Sequence, residues 1–184
     1  MGLRRAVLVA ALVWTTATRT GQAAEQPGVS EQEVKAAYLF HFTRFVEWPA
    51  RAGADDAEFV VAVLGASQFG EMVERTLAGK TAQDRPLSVR RISQPGEAAQ
   101  AGILFVGSLE ARRMPEILEA VQGRSVLTVS DVPGFAEQGG IIGFRVVDKR
   151  VRFDVNVEQA SRSGLKISSE MLKLARIVRT RPGP

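Results

Sequence analysis

The chain has 184 residues, of which 45% are hydrophobic, which is enough for one well-buried core and too short for two comfortable domains. It contains no cysteine, which excludes disulfides, thiol nucleophiles and thiolate metal sites, and its one histidine leaves His41 as the only possible centre of a Ser-His-Asp triad or a histidine metal site. The formal net charge of +4 would suit a nucleic-acid partner, but most of this excess lies in the first 24 residues.

Those first residues have the layout of a secretory signal peptide. A cationic start with Arg4 and Arg5 precedes the unbroken apolar run Ala6–Trp14, and the small residues Ala23 and Ala24 precede a polar stretch. Nine apolar residues are too few to span a membrane, so we expect cleavage after Ala23 or Ala24, no membrane insertion afterwards and a periplasmic domain over residues 25–184. Removal of the leader leaves 21 basic against 20 acidic residues, which argues against nucleic acid as a partner.

The mature chain is predicted to open with a helix. Ser30 and Glu33 have the spacing of a capping box, and Trp48 followed by Pro49 is expected to stop the helix. Apolar and aromatic side chains recur at steps of three and four along one predicted face: Val34, Ala37, Tyr38, His41, Phe42 and Phe45. On this face His41 is expected to be a packed residue with one hydrogen bond, rather than a ligand or a base.

Short apolar strands then alternate with helical segments. The predicted strands are Phe59–Leu64, Leu87–Ile92, Ile103–Val106 and Ser125–Val129, and the helices between them are Phe69–Leu77 and Leu109–Val121. Because β-α-β crossovers leave helices on both faces of a sheet, this alternation favours a parallel sheet covered on both sides.

The alternation of strands and helices ends near the C-terminus. Gly140–Val147 and Val151–Val157 are divided by only three residues, too few for a parallel crossover, so they are expected to form an antiparallel hairpin with Arg152, Asp154 and Asn156 on its polar face. A last helix is predicted over Ser169–Val178. The predicted fold class is therefore α/β, a single-domain three-layer sandwich with a mainly parallel sheet and an antiparallel C-terminal hairpin.

Two segments at strand ends are candidates for a nucleotide-binding or catalytic site. The turn from Gly65 to Gly70 lacks the Lys and Ser or Thr of a Walker loop and the glycine spacing of a dinucleotide loop, so we interpret it as an ordinary βα turn. Asp131 follows a strand, where α/β folds place reactive groups, but the strand Phe59–Leu64 brings no acidic partner for a metal ion. We interpret Asp131 as a turn residue that bonds its own backbone.

Two aromatic segments suggest a binding surface instead. Trp48 is interpreted as a plug that closes the first helix onto the core, with the alternative that it forms a partner-binding patch together with Phe42 and Phe45. The segment Gly134–Gly140 is glycine-rich and carries Phe135, which predicts an exposed loop able to approach another chain closely. The alternative is a flexible connection between parallel and antiparallel pairing.

Several segments resemble one known family. The opening stretch from Val34-Lys35-Ala36-Ala37-Tyr38-Leu39-Phe40 through Val46-Glu47-Trp48-Pro49 is similar to the opening signature of the YfiR-like family of periplasmic proteins. Further segments resemble it in the same order along the chain: Leu64-Gly65 with Phe69-Gly70, Ser130-Asp131 through Gly134-Phe135-Ala136 to Gly139-Gly140, and Ser168-Ser169 before Leu172. Together they cover essentially the whole mature chain.

The resemblance implies a periplasmic regulator without catalysis of its own. The best-understood member holds a membrane-bound diguanylate cyclase inactive through the cyclase's periplasmic part, which limits cyclic-di-GMP and biofilm formation, and other members are thought to serve different sensors. That member has cysteines linked to redox control, whereas this chain has none, so thiol regulation cannot be transferred.

We therefore expect a non-catalytic regulator that inhibits a membrane-bound diguanylate cyclase or histidine kinase by binding its periplasmic region. No catalytic residue, metal or cofactor is predicted. The sequence leaves open whether the protein forms a homodimer. The residues predicted to bind the partner are Phe42, Phe45, Trp48, Asp131, Phe135, Gly139 and Gly140. The alternative is a small-ligand sensor with its cleft at the carboxyl ends of the parallel strands, and a hydrolase built on His41 ranks last.

Overall fold

The computed structural model describes residues 29–49, 58–65 and 67–181. The predicted signal peptide, residues 1–24, lies outside this part of the chain. Among the helices described, none combines the length and the apolar character that a membrane span requires.

The first helix, α1 (Glu31–Phe45), begins at the predicted capping box. The Glu33 backbone N donates to Ser30 Oγ at 3.2 Å, and the Ser30 backbone N donates to Glu33 Oε2 at 2.7 Å. The helix ends at Phe45, before Trp48 and Pro49, because the next two residues form a strand. Its apolar face is also rotated from the predicted one, since the fully buried positions are Lys35, Ala36, Leu39, Phe42 and Thr43.

Ten strands and four further helices follow α1 within the described residues. The strands are β1 Val46–Glu47, β2 Phe59–Leu64, β3 Thr81–Ala82, β4 Arg85–Ile92, β5 Ile103–Val106, β6 Leu127–Ser130, β7 Ile142–Val147, β8 Arg150–Asn156, β9 Lys166–Ile167 and β10 Arg176–Val178. The helices are α2 Ser67–Leu77, α3 Met114–Ala120, α4 Val157–Arg162 and α5 Ser169–Leu172, and the 3-10 turns are η1 Pro95–Gln100, η2 Ser108–Arg113 and η3 Phe135–Gln138.

Eight of these described strands form one sheet in the order β10-β8-β7-β6-β5-β2-β4-β3. Strands β4, β2, β5, β6 and β7 are mutually parallel, in the order 2-1-3-4-5 of doubly wound sheets. β1 and β9 form a separate antiparallel pair.

The C-terminal hairpin is confirmed. β7 and β8 pair antiparallel from Ile142↔Val155 to Val147↔Arg150, and the turn between them consists of Asp148 and Lys149. Both turn residues have positive φ values, 50° and 59°, which is the backbone of a two-residue type I′ turn.

Helices cover both faces of the sheet, as a three-layer sandwich requires. On one face, α1, α2, α4 and α5 pack on a cluster that includes Phe42, Val63, Phe105 and Val155. On the other face, η1, α3 and η3 pack on a cluster that includes Leu64, Leu104, Ile117 and Phe135. The predicted α/β class with a mainly parallel sheet is therefore confirmed.

The predicted last helix is wrong in its second half. The helix α5 ends at Leu172, and Arg176–Val178 instead forms β10, which pairs parallel with β8. The register Arg176↔Asp154 explains the difference, because it joins a cation to a buried carboxylate that would otherwise lie at the edge of the sheet.

Candidate functional site

A cleft of about 1100 Å³ lies at the carboxyl ends of β2 and β5. These two strands are neighbours in the sheet. After β2 the chain continues to β4 on one side of the pair, and after β5 it continues to β6 on the other side, so the cleft lies where the strand order reverses. Open α/β sheets bind ligands at this topological switch point. The cleft is the candidate ligand site that the fold itself defines.

The turn after β2 forms one wall of the cleft. Gly65 has φ +68°, and a Cβ at this position would lie 2.3 Å from Glu110 Cγ. The Glu110 side chain therefore fills the space over the turn, and its carboxylate disfavours a phosphate there. This geometry supports the interpretation of the segment as an ordinary βα turn.

Another wall of the cleft is built around a buried ion pair. Lys35 is 4% exposed, and its Nζ lies 3.0 Å from Asp131 Oδ2 and 2.7 Å from Glu31 Oε1. Burial acts to lower the pKa of Lys35, but the hydrogen bonds to Glu31 and Asp131 outweigh it and raise this pKa above its ordinary value. Lys35 therefore stays charged, and it fixes α1 beside the cleft.

Asp131 does not bond its own backbone, so that interpretation was wrong. The neighbouring Ser130 makes the turn, since its Oγ accepts from the Val132 backbone N at 3.0 Å and donates to the Val106 carbonyl at 2.7 Å. Asp131 Oδ2 is bound to Lys35, while Oδ1 is buried without a hydrogen-bond partner among the described residues. Asp131 is thus an ion-pair residue that lines the cleft.

The aromatic residues of the first segment do not form one exposed patch. Phe42 is buried in the core, where its ring centroid lies 5.9 Å from that of Phe144 and 5.5 Å from that of Phe153. Trp48 is half-buried, contacts the Phe59 ring edge-on at 5.0 Å and donates from Nε1 to the Gly102 carbonyl at 3.1 Å. These contacts confirm Trp48 as a plug on the core. Phe45 is half-buried.

The glycine segment folds its aromatic ring inward. Phe135 is 0% exposed, so the expectation that it stands on an exposed loop was wrong. A Cβ on Gly140 would lie 2.1 Å from the Phe135 ring, which shows that the absence of a side chain at Gly140 makes room for the ring. Gly139 has φ +105° and its carbonyl accepts from Gln159 Nε2 at 2.9 Å. A partner-binding role for these residues stays a prediction.

His41 was expected to be packed, and this was wrong. The side chain is exposed, because the buried face of α1 is centred on Leu39. His41 contacts the ring of the adjacent Phe40, with centroids 6.0 Å apart, and it is not among the residues that line the cleft. Within the described part of the chain, no three His, Asp or Glu side chains lie close enough together to hold a metal ion.

A second charged cluster, which the sequence did not predict, is centred on Asp154. This residue was expected on the polar face of the hairpin, but it is 6% exposed and is bound by two arginines of the neighbouring strands β7 and β10. Asp154 Oδ1 accepts from Arg145 Nε at 2.7 Å, and Oδ2 accepts from Arg176 at 2.6 Å. Burial acts to raise the pKa of Asp154, but the hydrogen bonds from Arg176 and Arg145 outweigh it and lower this pKa.

The same cluster attaches the C-terminal segment to η3. Glu137 pairs with Arg176 at 3.3 Å and also with the Arg181 guanidinium, and the Arg181 backbone N donates to the Glu137 carbonyl at 2.8 Å. Asn156, fully buried, donates to the Ala136 carbonyl and to Thr180 Oγ1, each at 2.9 Å. The only sequence signal for this cluster was the run of charged residues at the C-terminus.

The sheet order and the cleft define a doubly wound α/β domain with its candidate site at the switch point. The chain belongs to the YfiR/HmsC-like family, whose model matches residues 32–176. This match confirms the resemblance, extends from the first turn of α1 to the first residue of β10, and includes the ion pairs Lys35–Asp131 and Arg176–Asp154. The family is one of periplasmic regulators.

Proposed function

We propose that this protein is a periplasmic regulator that binds the periplasmic region of a membrane-bound signalling enzyme and holds that enzyme inactive. The enzyme is a diguanylate cyclase or a histidine kinase. The observation that carries the proposal is the family match over residues 32–176, which spans nearly the whole described chain.

The arrangement of the reactive side chains supports binding over hydrolysis. The one histidine of the chain, His41, is exposed on α1 and does not line the cleft, whereas a working triad needs a histidine within about 3 Å of a nucleophile. Each carboxylate that lines the cleft is paired with a cation: Asp131 with Lys35, Glu110 with Arg113 and Glu71 with Arg91. Both features favour a role in which the protein acts through contact with another molecule.

A pair of measurements tests the proposal. The mature chain and the periplasmic region of a membrane cyclase or kinase that is isolated with it from the cell envelope should form a complex in a titration of the two purified proteins. Deleting the gene should raise cyclic-di-GMP or kinase output, and expressing the wild-type protein should reverse the change. If the two proteins do not associate and deletion leaves the output unchanged, the proposal is wrong.

Small-ligand sensing is the second candidate function, and the size and place of the cleft favour it. Apolar side chains such as Phe69 and Phe105 and polar ones such as Gln68 and Ser108 line the cleft, a mixture typical of metabolite sites. A metabolite that binds there should raise the melting temperature of the wild-type protein, since a ligand of the folded state stabilises it. Ser108→Trp, which places a large side chain in the cleft, should abolish this rise.

A further inference from the structure

Strand β10 forms one edge of the eight-stranded sheet. One side of its backbone pairs with β8 through Arg176↔Asp154, Ile177↔Val155 and Val178↔Asn156. No described strand pairs with its other side, so the N–H and C=O groups on that side can pair with another chain.

Two exposed side chains at this edge are large and apolar. Ile177 in β10 is 59% exposed and Leu174, just before the strand, is 68% exposed. Among the described residues only six large apolar side chains are exposed, and none of them lies on β3 or β4 at the opposite edge. Natural sheets usually protect an open edge from association, so an apolar open edge indicates a surface that another chain covers.

A basic groove lies beside β10 on one face of the sheet. It has a volume of about 1080 Å³, and the residues that matter here are Arg112, Pro115, Leu118, Glu137, Arg176 and Arg181. Because side chains alternate along a strand, Arg176 points to this groove while Ile177 points to the opposite face. Its three arginines face two carboxylates, Glu137 in the lining and Asp154 bound to Arg176, so the groove keeps a net positive charge.

The flanking charges decide which kind of chain fits. Lys173 and Arg179 are exposed on either side of β10. A second copy of this protein, paired edge to edge about a two-fold axis, would bring these cations of the two copies together, and like charges opposite each other are destabilising. An extended segment that carries acidic side chains would instead be attracted along its whole length.

We propose that the open edge of β10 receives an extended, acidic segment of the membrane partner, which adds to the sheet as a ninth strand. Backbone hydrogen bonds supply affinity, Ile177 and Leu174 cover the apolar side chains of the segment, and the basic groove takes its acidic side chains. This inference rests on the proposed function, since it names the surface through which the partner is bound.

The test uses the mature chain and the periplasmic region of a membrane sensor that is isolated with it from the cell envelope. Hydrogen exchange is measured for the backbone amides of residues 176–178, free and in the complex. Affinity is measured for the wild type, for Ile177→Glu and Arg179→Glu, and for Val29→Glu as a matched control. Val29 is an exposed apolar residue ahead of α1, so its variant adds the same charge in another part of the chain. Circular dichroism confirms that each variant is folded.

The expected result is slower exchange of the β10 amides in the complex, binding weakened about tenfold or more by Ile177→Glu and Arg179→Glu, and a change of less than about twofold for Val29→Glu. Suppose that the complex forms, but that the β10 amides exchange as in the free protein and both edge variants bind like the wild type. This inference is then wrong, and the proposed function stands. Failure of the wild-type proteins to associate overturns both. Protection of β10 by self-association, with no change on adding the sensor, also overturns the inference.

Discussion

Lys35 on α1 and Asp131 beyond β6 form an ion pair, with Lys35 Nζ 3.0 Å from Asp131 Oδ2. The residues come from distant parts of the chain, and their contact holds α1 against the carboxyl edge of the sheet beside the cleft. Because Lys35 is buried, its charge must be compensated inside the protein, and Glu31 supplies the second carboxylate.

Asp131→Asn should lower the free energy of unfolding by about 1–3 kcal/mol, since the buried ammonium loses one of its two carboxylates. Replacing Lys35 by Met as well should recover part of this loss, because the buried charge is then removed and Glu31 is exposed to water. Urea unfolding of the two single variants and the double variant measures the coupling. Strict additivity would show that the ion pair contributes nothing specific.

Acid should destabilise the protein through Asp154. Its pKa is lowered in the folded state, so its contribution to stability is fully present above the unfolded pKa of about 3.9 and is lost as the pH falls through the folded value. Asp154→Asn should cost about 2 kcal/mol at pH 7 and lose less further stability on acidification than the wild type. Urea midpoints between pH 7 and pH 3 measure this. Asp148→Asn makes the same replacement in the exposed hairpin turn, away from the arginines, and is the matched control.

Gly140→Ala should destabilise the protein by about 1–3 kcal/mol, because the new Cβ would meet the buried Phe135 ring and force it to move. Combining it with Phe135→Leu should cost less than the sum of the two single changes, since leucine leaves space where the ring was. Thermal and urea unfolding measure the three variants. Gly96→Ala, where a Cβ meets nothing within 4 Å, is the control and should be nearly neutral.

Phe42 and Trp48 should respond differently to mutation. Phe42→Ala removes a buried ring and should cost about 3–5 kcal/mol, so any loss of regulation would reflect unfolding. Trp48→Phe keeps an aromatic ring but removes the hydrogen bond to the Gly102 carbonyl, and should cost about 1 kcal/mol. Melting temperatures measured beside partner affinity separate the two effects. A folded Trp48→Phe protein with weakened binding would place Trp48 in the interface.

Protein recovered from the periplasm should begin at Ala24 or Glu25, because the small residues before that point suit a signal peptidase. N-terminal sequencing or intact mass measures the processed end. Retention of Met1 in the mature protein would mean that the apolar segment Ala6–Trp14 serves as an anchor instead.

The sequence was sufficient for those elements that local chemistry determines. The capping box at Ser30 and Glu33 located the start of α1, apolar runs such as Phe59–Leu64 located the parallel strands, and the short connection after Val147 required a hairpin. The sequence did not predict the features that depend on contacts between distant residues. A buried lysine is rare, so the predicted buried face of α1 omits Lys35 and includes His41, which is exposed.

The end of the chain illustrates the same limit. The apolar spacing from Met171 to Val178 fits a helix as well as it fits a short helix followed by a strand. The choice depends on Asp154, because only the strand register brings Arg176 beside that carboxylate. Likewise, nothing near Asp131 in the sequence identifies its partner, which lies 96 residues away.

The packing of Tyr38 on the C-terminal hairpin bears on how the protein folds. The Tyr38 ring lies 5.3 Å from that of Phe153 and 6.0 Å from that of Phe144, so the first helix shares its aromatic contacts with strands made near the end of synthesis. Contacts between such distant residues raise the contact order and slow folding. The helix cannot complete its packing without the hairpin, so a chain that ends before the hairpin would leave the Tyr38 ring without these two aromatic contacts.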